Sequence, residues 1–137
     1  MKNKLITIIT LIITFSAVAA PKETVKIDKW QIIMNLINQE VKTINKVKRK
    51  SISLRYRLIE LQSEKIKLWK KKENENFMSL SISGKKISRK RAFKQTLKFY
   101  NETKKFGLST LKRTQDANYK AAIYYSLALN SRDYSYD

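Results

Sequence analysis

The stretch KWQIIMNLINQEVKTINKV, residues 29–47, decides the fold class of this chain. Asp28 precedes it and can accept the free amides of a first helical turn, and Gln31 can reach back to complete a capping box. The large apolar residues then recur in steps of three and four, which places them on one face of a helix: Trp30, Ile33, Ile37, Val41, Ile44 and Val47. The pattern predicts an α-helix over residues 29–48.

Further helices are predicted downstream. A second helix is expected over about residues 53–76, where Leu54, Leu58, Leu61 and Leu68 form an apolar stripe. The basic run over residues 46–50 is the expected hinge between the first two helices. No Gly or Pro separates them, so one long broken helix over residues 29–76 remains possible. Residues 76–88 are the stretch whose composition favours a loop.

The C-terminal part of the chain is predicted to hold two more helices. The third runs over about residues 88–113, and its apolar face contains Phe93, Leu97, Tyr100, Leu108 and Leu111. Gly107 lies inside this pattern, where it costs roughly 1 kcal/mol relative to Ala, so we expect a neighbouring helix to approach closely there. The fourth helix begins near Asn118.

The composition agrees with helices and argues against a β fold. The 137 residues include two Gly and one Pro, which leaves few sites for the tight turns of a sandwich or barrel. Cysteine is absent, so packing rather than disulfide bonds must hold the helices together. We therefore expect an all-α protein.

The first twenty residues have the three-part layout of a secretory signal peptide. Lys2 and Lys4 supply a positive region, residues 5–20 are mainly apolar, and Ala17-Val18-Ala19 fits the small-x-small pattern of signal peptidase sites. The alternative is an uncleaved anchor, but this segment is shorter than the roughly 20 residues that a spanning helix needs. We expect export across the inner membrane, cleavage after Ala19 and a periplasmic location.

The C-terminal end resembles a known repeat family. Residues 119–134, YKAAIYYSLALNSRDY, look like the first helix of a tetratricopeptide repeat. Tyr124, Leu127 and Ala128 match the aromatic, large apolar and small positions of that family's pattern. Residues 100–115 look like the second helix of a preceding repeat.

The resemblance implies antiparallel helical hairpins, stacked as the start of a solenoid that binds other proteins. Together with the signal peptide over residues 1–19, it divides the chain into an N-terminal hairpin and loop over 20–88 and repeat-like helices over 89–137. It also implies that the chain is the N-terminal portion of a longer array. The sequence departs from the family at Ser131, where Tyr is usual, and at Gln115, where Pro is usual. A small four-helix bundle is the alternative fold.

No residue pattern indicates catalysis. The sequence lacks a Gly-rich phosphate loop, a nucleophile elbow and a metal-ligand cluster. It also lacks His, the commonest general base and metal ligand. Glu73 and Glu75 lie two residues apart on a helix and do not share a face, so we expect them to be solvated surface charges. We expect a protein that is not an enzyme, with no catalytic, cofactor-binding or metal-binding residues.

The charge makes binding the more credible function. The chain has 30 Lys and Arg against 11 Asp and Glu, a formal net charge of +19, and such a field attracts polyanions. Nucleic acid is not the usual partner of an exported protein, so anionic lipid head groups, lipopolysaccharide or an acidic protein are expected instead. The candidate residues form three clusters: Lys46, Lys48, Arg49 and Lys50; Lys70, Lys71 and Lys72; and Lys85, Lys86, Arg89, Lys90 and Arg91.

Four tyrosines near the C-terminus form a second candidate surface: Tyr124, Tyr125, Tyr134 and Tyr136. They exceed what one short helix can bury alone, and Tyr combines contact area with a polar tip, which suits an interface. The leading hypothesis is an exported helical scaffold for protein–protein interaction. The alternative is a basic helical protein that binds anionic envelope surfaces by charge.

Overall fold

The computed structural model describes residues 28–134, and every regular element in that range is a helix. The five helices are α1 (Lys29–Asn45), α2 (Ile52–Ile82), α3 (Arg89–Ala92), α4 (Lys94–Leu111) and α5 (Ala117–Tyr134). The all-α fold class is therefore confirmed. The signal peptide with its cleavage site, and Tyr136, lie outside the described residues.

A short turn separates α1 from α2, so the first two predicted helices are distinct. Asp28 caps α1, because its side chain accepts a 3.0 Å hydrogen bond from the amide of Trp30. Ser51 caps α2 by accepting from the amide of Leu54 at 3.3 Å. Between them, Lys50 Nζ donates to the Val47 carbonyl at 3.0 Å, which ties the turn to the end of α1.

Helix α2 runs six residues further than the sequence indicated and ends at Ile82 rather than Asn76. The prediction of a polar break from residue 76 was wrong because Phe77 packs on Phe93, with ring centroids 5.8 Å apart. The helix ends where Gly84 adopts a φ of +75°. The amide of Lys85 then donates to the carbonyl of Leu80, and Gly84 to that of Ser81, which is a Schellman motif.

The predicted third helix is two helices, because the chain breaks at Phe93. This residue has φ −110° and ψ 37°, outside the helical region, and its side chain is buried. No side chain within α4 caps its first turn. The cap comes from α2 instead.

That cap is Glu73, which corrects the prediction that this residue is a solvated surface charge. Its carboxylate is buried and accepts from the backbone amides of Gln95 and Thr96 at 2.8 and 3.0 Å. It also accepts from the Thr96 hydroxyl at 2.7 Å. A negative charge is stabilised at the amino end of a helix, where amides lack partners. Glu75, in contrast, is exposed as expected.

Helix α2 lies at the centre and packs against each of the other four described helices. Arg55 reaches Thr110 at one end of α4, and Glu73 reaches Thr96 at the other, so α2 and α4 are antiparallel. Helix α5 is antiparallel to α4 and therefore parallel to α2. Helix α1 packs along the other side of α2 and contacts no further helix backbone among those described.

Three apolar clusters hold these helices together, and α2 contributes to each of them. The buried members of the first are Ile37, Ile44, Leu58 and Leu61; of the second, Ile59, Leu111 and Ile123; and of the third, Ile66, Tyr100 and Tyr134. The predicted leucine stripe of α2 lies in the first cluster, with Leu54 and Leu68 at its edge.

Three residues expected in the core are exposed: Ile33, Val47 and Leu108. Among the described helices, α1 has one neighbour, so its buried stripe is narrower than its apolar stripe, and Met34 rather than Ile33 is buried. The expected close approach at Gly107 is confirmed. A Cβ added to this residue would lie 2.7 Å from Leu127 Cδ2 of α5.

Candidate interaction surfaces

The outer face of α5 carries two adjacent exposed tyrosines. Tyr124 is 61% exposed and Tyr125 is 67% exposed. Ala121 and Ala128 are also exposed, and their spacing places all four residues on one face of the helix. Aromatic rings between small residues make ridges and hollows into which another helix can pack. We call these four residues the α5 face.

The other two predicted tyrosines do not belong to this face. Tyr134 is buried in the third apolar cluster, and Lys70 Nζ lies 4.9 Å from the centre of its ring. Tyr136 lies outside the described residues. The structure therefore separates the tyrosines that the sequence grouped together.

A groove between α2 and α5 adjoins the α5 face at Tyr125 and has a volume of about 470 Å³. Its wall on α2 includes Arg57, which donates to Glu40 of α1 at 2.7 Å and to Glu60 at 3.3 Å. The hydrogen bond from Arg57 lowers the pKa of Glu40. Asp133 lies on the α5 wall beside Arg132 and has its pKa lowered by that guanidinium. The groove thus offers both signs of charge.

The first basic cluster occupies the turn between α1 and α2. Lys46, Lys48 and Arg49 are exposed there, whereas Lys50 is half-buried and bonded to the turn. Arg55, which the sequence did not single out, lies near the same end of the bundle. Its pKa is lowered by burial and by the charge of Arg113, which follows α4. Only the antiparallel pairing of α2 and α4 brings these two arginines together.

The second cluster is largely engaged inside the molecule. Lys70 Nζ donates to the Asp133 carbonyl at 2.6 Å. Lys72 Nζ lies 3.9 Å from the ring centre of Trp30, which is close enough for a cation–π interaction. Lys71 is exposed. Two of these three lysines therefore stabilise the packing of α1 and α5 on α2.

The third cluster surrounds the far end of α2. Lys85, Lys86, Arg89, Lys90 and Arg91 are all exposed. Two apolar side chains of α2, Met78 and Ile82, are exposed beside them. We call residues 77–91, which contain this combination, the basic tip.

The aromatic side chains of α1, α2 and α4 pack mainly on one another. Trp30 and Trp69 meet edge to face with centroids 5.0 Å apart, and Trp69 stacks on Phe99 at 6.3 Å. Trp30 Nε1 also donates to the Leu68 carbonyl at 3.0 Å, which holds α1 on α2. Trp30, Trp69 and Phe99 therefore contribute to the packing of α1, α2 and α4.

Within residues 28–134, no group of three or more His, Cys, Asp and Glu is arranged to hold a metal ion. In the same range, none of the helices combines the length and apolarity needed to cross a membrane.

Models of protein families, curated proteins and solved structures were compared with this chain, and none matches it. The tetratricopeptide resemblance therefore remains a prediction made from the residues of α4 and α5.

Proposed function

We propose that this chain is an exported helical scaffold that binds another protein through the α5 face. The observation that carries the proposal is the exposure of Tyr124 and Tyr125 side by side, on a helix face otherwise lined by alanine. Contiguous exposed apolar area on a protein surface marks sites of interaction with other proteins. Tyrosine is also enriched at protein interfaces.

The order of helices supports a stacked-hairpin scaffold. Helices α2, α4 and α5 follow one another as antiparallel neighbours, and α2 and α5 lie parallel and in contact. Successive helices of tetratricopeptide-like arrays pack in the same way, and each new helix covers the exposed face of the one before it. One feature differs from such arrays, because the 31 residues of α2 exceed the length of a single helix in a repeat of about 34 residues.

The proposal can be tested by site-specific photo-crosslinking in the cells that make the protein. A benzophenone amino acid is placed at Ala121, Tyr124, Tyr125 or Ala128, and as a control at Thr43, which is exposed on α1. We expect one defined protein adduct from the α5 positions and none from the control. Equal labelling at all positions, or none at any of them, would contradict the proposal.

A second variant links the adduct to the tyrosines. Tyr124→Ser combined with Tyr125→Ser should abolish the adduct formed from position 121. The fold should persist, because both side chains are already largely exposed in the wild-type protein. Circular dichroism at 222 nm checks that the helix content is unchanged.

A second candidate function is the binding of anionic envelope surfaces, and the basic tip favours it. Its five cations are exposed, and none pairs with a carboxylate among residues 28–134. Such charges retain their attraction for polyanions, and salt should screen that attraction over about 10 Å at 0.1 M ionic strength. Binding that weakens steeply between low and high salt is the expected signature.

A further inference from the structure

The basic tip projects beyond the body of the helical bundle. The carboxylate of Glu73 meets the amide of Gln95, so this point of α2 is level with the start of α4. The nine remaining residues, 74–82, extend about 13 Å further at 1.5 Å per residue. Beside this extension lie the following loop and the four-residue α3.

Two large apolar side chains point away from the bundle on this extension. Met78 is 53% exposed and Ile82 is 85% exposed, the highest value among the exposed large hydrophobic residues of the described chain. They are four residues apart and therefore share one face of α2. Phe77, on the inner side, is half-buried against Phe93.

The sequence that follows these two side chains is rich in positive charge, whereas exposed Glu75 precedes Met78 by three residues and lies on the same face of α2. Residues 76–101 contain no Asp or Glu, while Lys85, Lys86, Arg89, Lys90 and Arg91 flank the end of α2. The tip thus combines exposed apolar side chains with cations that lack a nearby carboxylate in sequence.

We propose that the basic tip docks onto a bilayer that contains anionic phospholipid. Ile82 and Met78 enter the boundary between head groups and acyl chains, and the five cations lie at the level of the phosphates. This inference rests on the second proposed function, the binding of anionic envelope surfaces, and assigns it a place and a ligand class.

The combination of features favours a bilayer over a soluble polyanion. Peripheral membrane elements bury an apolar face about 5–10 Å deep and gain electrostatic attraction from anionic lipids. A soluble polyanion would use the cations alone and gain nothing from an isoleucine that is almost fully exposed. An acidic protein remains the competing partner, and the experiment below separates the two.

The first measurement places a dye at the proposed contact. The chain has no Cys, so Ile82→Cys can be labelled alone with the polarity-sensitive dye NBD. The matched control is Leu36→Cys, because Leu36 is also apolar and 59% exposed, but lies on α1. The chain is used from Ala20 onward, since residues 5–19 are themselves mainly apolar and this form keeps every described residue.

The probe is a vesicle of phosphatidylcholine and phosphatidylglycerol in a 3:1 ratio. At low salt we expect blue-shifted, brighter emission from position 82 and no change from position 36. In co-sedimentation, Ile82→Ser should weaken binding about five- to ten-fold, because part of a buried isoleucine side chain is lost. Pure phosphatidylcholine vesicles should bind poorly.

Two triple variants test whether vesicle binding depends on the basic tip or on the net charge of the whole protein. Lys85→Gln, Lys86→Gln and Arg89→Gln together should weaken vesicle binding roughly 100-fold, since each cation near an anionic bilayer contributes about five-fold. The control removes the same number of charges at the α1–α2 turn: Lys46→Gln, Lys48→Gln and Arg49→Gln. We expect the control to weaken binding by less than about three-fold.

The possible results have distinct meanings. No binding to anionic vesicles at low salt would overturn both this inference and the second proposed function. Salt-sensitive binding with equal losses in the two triples and no response from the dye at position 82 would overturn the inference alone. Binding to poly-glutamate but not to vesicles would assign the tip to an acidic protein, and would also overturn it.

Discussion

Replacing Glu73 should destabilise the fold far more than replacing a surface carboxylate. In Glu73→Ala, the amides of Gln95 and Thr96 and the hydroxyl of Thr96 all lose their acceptor. Loss of a helix cap costs about 0.5–2 kcal/mol, and a buried polar group left unpaired costs about 1–3 kcal/mol. Water can reach part of the opened site, so we expect a total near 3 kcal/mol.

That cost is measurable and large for a protein of this size. A small domain has a free energy of unfolding of about 5–15 kcal/mol, and 1 kcal/mol shifts its Tm by roughly 4–8 °C. We therefore expect the Tm of Glu73→Ala to fall by at least about 12 °C. In urea, followed by circular dichroism at 222 nm, the midpoint should fall while the slope m stays constant.

The matched control for Glu73→Ala is the same substitution at Glu75, two residues away. Glu75 is exposed, and Glu75→Ala removes the same charge from the same helix, so it should change the free energy of unfolding by less than about 0.5 kcal/mol. Thr96→Val should lower the free energy of unfolding less in the Glu73→Ala background than in the wild type, because the two side chains share a hydrogen bond. Equal costs for Glu73→Ala and Glu75→Ala would refute the assignment of Glu73 as the cap of α4.

Other expectations follow from single contacts. Gly107→Ala should destabilise the wild type, because the added Cβ would lie 2.7 Å from Leu127 Cδ2. In the Leu127→Ala variant this contact is gone, so Gly107→Ala should stabilise that variant by up to about 1 kcal/mol through the helix preference for Ala. Additive effects of the two substitutions on the free energy of unfolding in urea would contradict the close approach. Trp30→Phe should cost about 1 kcal/mol in urea, since the 3.0 Å hydrogen bond to a carbonyl of α2 is lost; an unchanged midpoint would argue against this tether. Arg57 lowers the pKa of Glu40, so the pair stabilises the fold above the ordinary value of 4.5, and this stabilisation is lost as the pH falls through the lowered pKa. Glu40→Gln should therefore reduce the acid sensitivity of the urea midpoint, and an unchanged pH profile would show that the pair is not formed in solution.

The periodic parts of the fold could be read from the sequence because apolar spacing reports which helix face is buried. Ile37 and Ile44 were predicted on the apolar face of α1, and Leu58 and Leu61 on that of α2; the four residues lie together in the first apolar cluster. The exposure of Ile33 could not be predicted in this way, because spacing does not reveal how many neighbours a helix has. Among the described helices, α1 has one neighbour, so Ile32, Ile33 and Leu36 face water.

Boundaries set by contacts between distant residues were the main errors. The ends of α2 and α4 depend on the packing of Phe77 on Phe93 and on the cap that Glu73 provides across 22 residues. Neither contact leaves a local signature, since Glu73 lies in an ordinary polar stretch. The contact at Gly107 did leave a local signature, because a glycine within a helical pattern destabilises the helix and is expected where a neighbouring helix approaches closely.

Some residues of the candidate surfaces could likewise be predicted from the sequence, and others could not. Sequence composition identified the cations at residues 85–91 and the pair Tyr124 and Tyr125, all of which are exposed. It grouped Tyr134 and Lys70 with them, although these two side chains meet each other inside the bundle. Charge alone cannot distinguish a lysine over an aromatic ring from one in water, because both are compatible with the same local sequence.

Among the described helices, α1 packs on α2 alone, and this packing has a consequence for how the protein opens. A helix held by one neighbour can detach without disturbing the rest, so α1 should form a separate unit of local unfolding, with faster amide hydrogen exchange than α4 or α5. The turn behind it carries Lys46, Lys48 and Arg49 in exposed positions, which are trypsin sites. Limited digestion should therefore cut at this turn as well as at exposed Lys85 and Lys86 of the basic tip, and the cut at the turn should release α1.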